Sequence, residues 1–325
     1  MRAFKRARRL QRLRAASGRK ALHGICRAGV SATALWGVAV KGIPPGELHA
    51  LRVACAKSSR PMARGASVHF RLGMLGARRW DPVCLTAGEV VYMWAEAVWC
   101  GSPTIGMLET VLVAARQSAE DVRARRSFWK RPRSVPDVLL RRLEDLQWHA
   151  HSARKWTLHN GLTIDLVQLA PAALPEMAVQ AACWVSDIIG QQKAFGPKAA
   201  QAPVHWQLVR AVGAKLEARK ECALQCCIAG PSWTQDKFFR RGMAAEPWCQ
   251  QCFKQRGTIA HRRLSCSAWV FERGHGVDHD VCRWASSLPE DMAEQFCRGV
   301  VVLPIGFLPK PLEDAEADTY WWPAD

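Results

Sequence analysis

Four side chains combine into a pattern with definite chemistry: Cys249, Cys252, His261 and Cys266, spaced C-x2-C-x8-H-x4-C within eighteen residues. Three thiolates and one imidazole are the ligand set of a closed tetrahedral Zn²⁺ site. Two cysteines separated by two residues both turn inward at a tight turn, and a His and a Cys a few residues apart complete the tetrahedron. Four protein ligands leave no position open for water, so the expected Zn²⁺ is structural: it contributes to local folding and supplies no catalysis. The competing reading is ordinary reduced thiols in a chain with thirteen Cys, because free Cys often serves as a small buried hydrophobe. The His and the fourth Cys at ligand spacing favour the metal.

The rest of the chain must position that stretch and give it a task. Its 325 residues suggest two or three units. The formal charge of +18 and the fifteen Trp against two Tyr are unusual. Such an excess of Lys and Arg favours a polyanionic partner, RNA or DNA ahead of a membrane surface, since no lipid-anchor motif accompanies it. The odd cysteine count, the lack of a secretory signal and the clustering of Cys222, Cys226 and Cys227 argue against a disulfide framework. A reducing, nuclear or cytoplasmic compartment is expected. No window reaches the roughly eighteen uninterrupted apolar residues of a spanning helix; the best, 83–100, is broken by Glu89 and Glu96, and no membrane span is expected.

Residues 1–20 hold nine Lys or Arg and no acid, and the first acid in the sequence is Glu47. Phe4, Ala7, Leu10 and Leu13 recur at helical spacing, which predicts a basic amphipathic helix. Three readings fit it: phosphate contact through Arg2, Lys5, Arg6, Arg8, Arg9 and Arg12, a mitochondrial presequence, or a solvated face. After a small apolar segment with Trp36-Gly37, Pro44-Pro45 and Glu47 predict the start of a helix carrying Leu48, Leu51 and Cys55. Asp81-Pro82 opens another, with Val90, Val91, Trp94, Ala97 and Val98 at core spacing. Arg116 to Arg142 is basic with Trp129 at its centre, and reads either as a single-strand contact or as a solvated linker.

Residues 146–166 contain a hairpin. Taking His159-Asn160-Gly161 as a three-residue loop pairs Leu158 with Leu162 and Trp156 with Ile164, and sets Gly161 where a left-handed residue is needed; His159 is then a loop residue. Residues 172–192 and 205–229 read as helices, with Cys222 and Cys226 as core. A short capped helix over 232–242 leads into the zinc stretch. Beyond it, His275-x3-His279-x2-Cys282 reads as loop, with a ligand role as the alternative. The tail beyond Leu312 has five acids, no base and Trp321-Trp322.

Two stretches resemble one family. The basic helix, Trp36-Gly37, Pro44-Pro45 and the Leu48-x-x-Leu51-Arg52 helix are similar to the thumb that follows the polymerase palm in non-LTR (LINE-type) retrotransposon reverse transcriptases. Trp233-Thr234-Gln235-Asp236 with Arg240 and Gly242, then Cys249, Cys252, Gly257-Thr258, His261-Arg262, Cys266 and Trp269, resemble the C-terminal Cys/His segment of the same enzymes. The spacing differs from the retroviral knuckle, which has four residues between the second Cys and the His. The resemblance implies a role in holding RNA template or target DNA, with the zinc ligands carried onto Cys249, Cys252, His261 and Cys266.

The departures decide the rest. Polymerase chemistry needs carboxylates to hold two metal ions, and this sequence has no Asp-Asp pair and no acid before Glu47. Fingers, palm, endonuclease and a recognisable RNase H carboxylate set are lacking, so no polymerase activity is expected, and the chain reads as a C-terminal remnant or fragmentary gene. The expected fold is mainly α: a thumb-like basic segment (1–75), a helical and basic linker (76–145), a hairpin with helical connection (146–245), a CCHC zinc module (246–285) and an acidic Trp-containing tail (286–325). The expected function is sequence-tolerant nucleic-acid binding, with Lys254, Arg256, Arg262 and Arg263 as contacts on the zinc module. The alternative is a non-binding scaffold in which the metal serves only folding.

Overall fold

The structure, a computed structural model, describes residues 32–59, 66–76, 81–124, 134–195, 202–229, 234–269 and 279–300. Within them the chain is mainly helical, with one small antiparallel sheet and a Cys/His cluster. The expected N-terminal helix with Arg2, Lys5, Arg6, Arg8, Arg9 and Arg12 lies outside the described residues, as do Trp129, His275 and the acidic stretch beyond Leu312.

Helices α1 (Ala32–Leu35), α2 (Val38–Lys41), α3 (Pro45–Ser59) and α4 (Val68–Leu75) precede the central pair, α5 (Pro82–Cys100) and α8 (Leu174–Phe195). Asp81 caps α5 by accepting from the Val83 N–H at 3.0 Å, with Pro82 in the first turn, the arrangement that satisfies free N–H groups at a helix start. Residues Cys84, Ala87, Val91, Trp94, Ala95 and Val98 are buried on α5, at the three-and-four spacing of a core face. By length and composition α5 could cross a bilayer, yet half of it is buried within this protein's own core. Helices α6 (Ile105–Ala124) and α7 (Val135–Asp145) complete that layer. The largest hydrophobic cluster runs from Ala39 through Val90 and Leu139 to Trp156 and Ala178, so it draws on each of the first three sequence segments.

The sheet is ordered β1 (His149–Ala150), β2 (Lys155–Thr157), β3 (Thr163–Asp165). Trp156 faces Ile164, the Leu158 N–H donates to the Leu162 carbonyl at 2.8 Å, and Gly161 sits at φ 83°. The three-residue loop and its register are therefore as expected. Strand β1 is additional; two residues are too few to leave an alternating pattern. Trp156 is fully buried, and its Nε1 has no hydrogen-bond partner among the described residues, whereas Trp94 Nε1 donates to the Ala153 carbonyl at 2.9 Å. His159 does more than close a loop: its Nδ1 accepts from Trp148 Nε1 at 3.3 Å, its ring lies 5.1 Å from that of Trp184, and burial lowers its pKa.

Two expectations are corrected. The helix expected over 205–229 is split into α9 (Trp206–Ala214) and α10 (Ala218–Ala229). A continuous helix would hold Val209 and Ile228 about 28 Å apart at 1.5 Å per residue; the break lets both join one cluster with Phe70 and Met74. Cys222 and Cys226, expected in the core, are exposed. The inward face of α10 is carried by Leu224 and Ile228, and a residue two positions away points to the opposite side of a helix.

Beneath the helices lies a buried polar network. Arg52 Nε donates to Asp81 Oδ1 at 2.8 Å, and its Nη2 donates to Asp81 Oδ2 at 2.6 Å and to Ser186 Oγ at 2.7 Å. His69 Nδ1 lies 3.0 Å from Ser186 Oγ, and burial, then the Arg52 charge, push its pKa down to about 3. Ser, His and Asp are near one another, but the carboxylate is committed to Arg52. Without a carboxylate on the imidazole this is no nucleophile triad. Asp187 accepts from Trp206 Nε1 at 2.8 Å and from the Val204 N–H at 3.2 Å, yet burial outweighs these donors and raises its pKa to about 7.

Candidate metal centre

The short capped helix expected before the metal loop is α11 (Gln235–Arg240), and the residue that caps it is Thr234, whose Oγ1 accepts from the Lys237 N–H at 3.4 Å. Trp248 and Arg256 then form an isolated antiparallel bridge, and the Cys249 N–H donates to the Gln255 carbonyl at 2.8 Å. Between them the C-x2-C turn is closed by the Phe253 N–H donating to the Cys249 carbonyl at 2.8 Å. A single π-helical turn over His261–Ser265 supplies the other half: the Cys266 N–H reaches back to the His261 carbonyl at 2.7 Å, and Thr258 Oγ1 accepts from the His261 N–H at 3.0 Å.

These two turns bring the ligand atoms of Cys249, Cys252, His261 and Cys266 within 4.8 Å of one another. Cys249 Sγ lies 3.8 Å from Cys266 Sγ, and Cys252 Sγ lies 3.2 Å from His261 Nε2. Metal–ligand bonds of about 2.3 Å to sulfur and 2.05 Å to nitrogen in a tetrahedron require edges of about 3.8 Å and 3.6 Å. The residues fit a metal ion of that coordination. With Nε2 turned toward the other ligands, the ring proton belongs on Nδ1, which faces Ser265 Oγ at 3.2 Å; such an outer hydrogen bond fixes the tautomer a metal-binding imidazole needs. The backbone N–H groups of Lys254 and then Gln255 hold the Cys252 thiol below its ordinary range, while burial pushes the Cys266 thiol up. A bound cation overrides that burial cost by taking the thiolate as ligand.

The loop is fastened to its surroundings by residues whose role was not legible in the ligand spacing. Asp236, 3% exposed, accepts from Arg256 Nε at 2.9 Å and pairs with Arg240 Nε at 2.8 Å. Gly257 lies so close to α11 that a Cβ there would stand 2.7 Å from Gln235 Cβ and 3.2 Å from Cys249 Cα; only glycine fits. Lys237 Nζ pairs with Glu294 Oε1 at 2.5 Å on α13 (Glu290–Cys297), which follows α12 (His279–Ser287). The side chains of His279 and Cys282 lie outside the described residues.

Among the four basic residues expected to contact nucleic acid on this module, Arg256 and Arg263 hold named groups of the protein itself. Arg256 is half-exposed with its guanidinium on Asp236. Arg263 donates to the Cys297 carbonyl and, at 3.5 Å, to Cys227 Sγ. Lys254 and Arg262 are exposed. Phe253, which the charge pattern did not single out, has φ 55° and is 72% exposed.

No protein-family model matches the chain, and comparison with curated proteins and with solved structures finds no match. The functional reading therefore rests on the residues themselves.

Proposed function

We propose that this chain binds nucleic acid through a basic loop scaffolded by a structural Zn²⁺ at Cys249, Cys252, His261 and Cys266. The observation that carries the reading is the convergence of four soft and borderline ligands in a chain of formal charge +18. Thiolate-rich tetrahedra suit zinc among the common divalent ions, and an excess of cationic side chains suits phosphates. Lys254 is the leading contact, with Arg262 as an exposed cation of the same module and Arg256 as a positioned guanidinium. The resemblance to the C-terminal part of non-LTR reverse transcriptases favours an RNA template or a DNA target, and polymerisation is not proposed because the paired carboxylates are lacking in this sequence.

Binding of labelled RNA and DNA across a salt series tests this. The logarithm of affinity should fall linearly with the logarithm of salt concentration, by about 0.7–0.9 for each phosphate neutralised. No salt-dependent retention of either nucleic acid sinks the reading. Elemental analysis should find zinc bound to the protein. A purely structural module is the second reading, and the internal contacts of Arg256 and Arg263 favour it. The pair Lys254→Glu and Arg262→Glu separates the two: lost binding with intact zinc content supports nucleic-acid contact, and unchanged binding supports the scaffold.

A further inference from the structure

Phe253 combines two unfavourable features in one side chain. Its backbone has φ 55°, a region that glycine enters freely, that Asn and Asp tolerate, and that a bulky residue rarely adopts. The residue is 72% exposed, so no core burial compensates. The position follows Cys252 directly, and its N–H closes the turn onto the Cys249 carbonyl at 2.8 Å. A glycine or asparagine would close the same turn with less strain. A metal ion held by Cys249 and Cys252 just before Phe253 and by His261 and Cys266 beyond it would keep this backbone still and give the ring a rigid support. Lys254 is its exposed neighbour, and Trp248, 45% exposed, stands at the start of the same loop opposite Arg256.

An exposed, rigid aromatic flanked by cations is the arrangement that stacks unpaired bases while neighbouring charges follow the phosphates. In a duplex the base faces are already stacked, and an aromatic at the protein surface has no π-face to meet. We infer that Phe253 is a stacking platform for a base of single-stranded RNA or DNA. This rests on the nucleic-acid reading above and adds to it the class of strand and the residue that selects it.

The test uses the full zinc-loaded chain, fluorescence anisotropy, and labelled oligo-dT and oligo-U strands beside a duplex of equal length. Phe253→Asn should weaken strand binding roughly 5- to 150-fold and leave the salt slope unchanged, because no charge is lost. Phe253→Tyr should restore it. Lys254→Ala should instead lower the slope by about one. Metal content and the thermal midpoint of Phe253→Asn should equal or exceed those of the wild type, since Asn tolerates the left-handed backbone. Equal strand affinity for Phe253→Asn and wild type, with metal intact, overturns this inference and leaves the nucleic-acid reading standing. If the wild type retains no strand at any salt, both fall. Should Phe253→Asn lose metal, Phe253→Leu against Phe253→Tyr decides, and equal affinities overturn the inference.

Discussion

The helical body and the metal loop are held together in different ways. The body buries Phe70, Leu72, Leu112, Leu139, Leu143 and Trp156 almost completely, and each such side chain contributes on the order of 1.5–3 kcal/mol by leaving water. None of the three hydrophobic clusters includes a described residue between 230 and 299. Over 246–266 the buried residues are Cys249, Gly257, His261 and Cys266, that is, three of the four ligands and the one glycine packed on α11. The body is thus stabilised by apolar area, and the loop by ion pairs and close backbone approach around a cluster that can hold a metal ion. Damage to either should leave the other largely intact.

The largest expected effect is on the loop. Replacing Cys249 and Cys252 by Ser removes two ligands from a site of the kind whose apparent metal-binding free energy is about 10–16 kcal/mol. Metal content should vanish and proteolysis should begin within 246–266, while the far-UV signal of the body stays near wild type; retention of the ion leaves the metal assignment without support. Next in size, Trp156→Ala should destabilise the body by about 3–5 kcal/mol, read from urea unfolding, with the metal still bound below the transition. Trp156→Phe should cost less, because it also removes an N–H without a partner. Smaller again, Asp236→Asn takes the charge from the carboxylate joining Arg256 and Arg240. With both guanidinium groups more than half exposed, about 1–2 kcal/mol is expected after allowing for solvent screening. Chelator competition should show that loss as a five- to thirty-fold weaker metal affinity.

The smallest expected effect is a flat pH profile made of two opposed slopes. Asp187 has a raised folded pKa of about 7, so its contribution is present at low pH and lost as pH rises from about 4 to 7. His69 has a depressed folded pKa of about 3, so its contribution is present above about 6.5 and lost as pH falls toward 3. Between about 4 and 6.5 the two oppose each other. Asp187→Asn should remove the first slope and expose the second, so that urea midpoints fall on acidification across this window. A variant profile as flat as the wild type contradicts the assignment of opposed titrations.

What was legible in the sequence was local. The ligand spacing brought together Cys249, Cys252, His261 and Cys266, the His159-Asn160-Gly161 loop fixed a hairpin register, and Asp81-Pro82 marked a helix start, because each signal lies within a few residues. What was not legible depends on distant packing. Arg52 and Ser186 meet across 134 positions, and Asp81 looked like a helix cap before it proved to be the anion of a buried pair as well. The exposure of Cys222 and Cys226 follows from which side of α10 meets Phe70. Charge counting treated the basic residues of the metal loop alike, and only the fold distinguished Arg256 and Arg263, bound internally, from Lys254. Phe253 escaped notice because left-handed backbone has no signature in an aromatic residue.

The short span of the metal loop bears on the order in which the molecule is made. Cys249 and Cys266 are 17 positions apart, whereas Arg52 and Ser186 are 134 apart. On chain-entropy grounds alone, closing the longer loop costs about 2 kcal/mol more. Capture of the ion is a local event that needs only a few turns of chain, and assembly of the body is a long-range search. On synthesis the loop can take its metal as soon as residue 266 is free, with Asp236 and Gly257 already at hand to receive it.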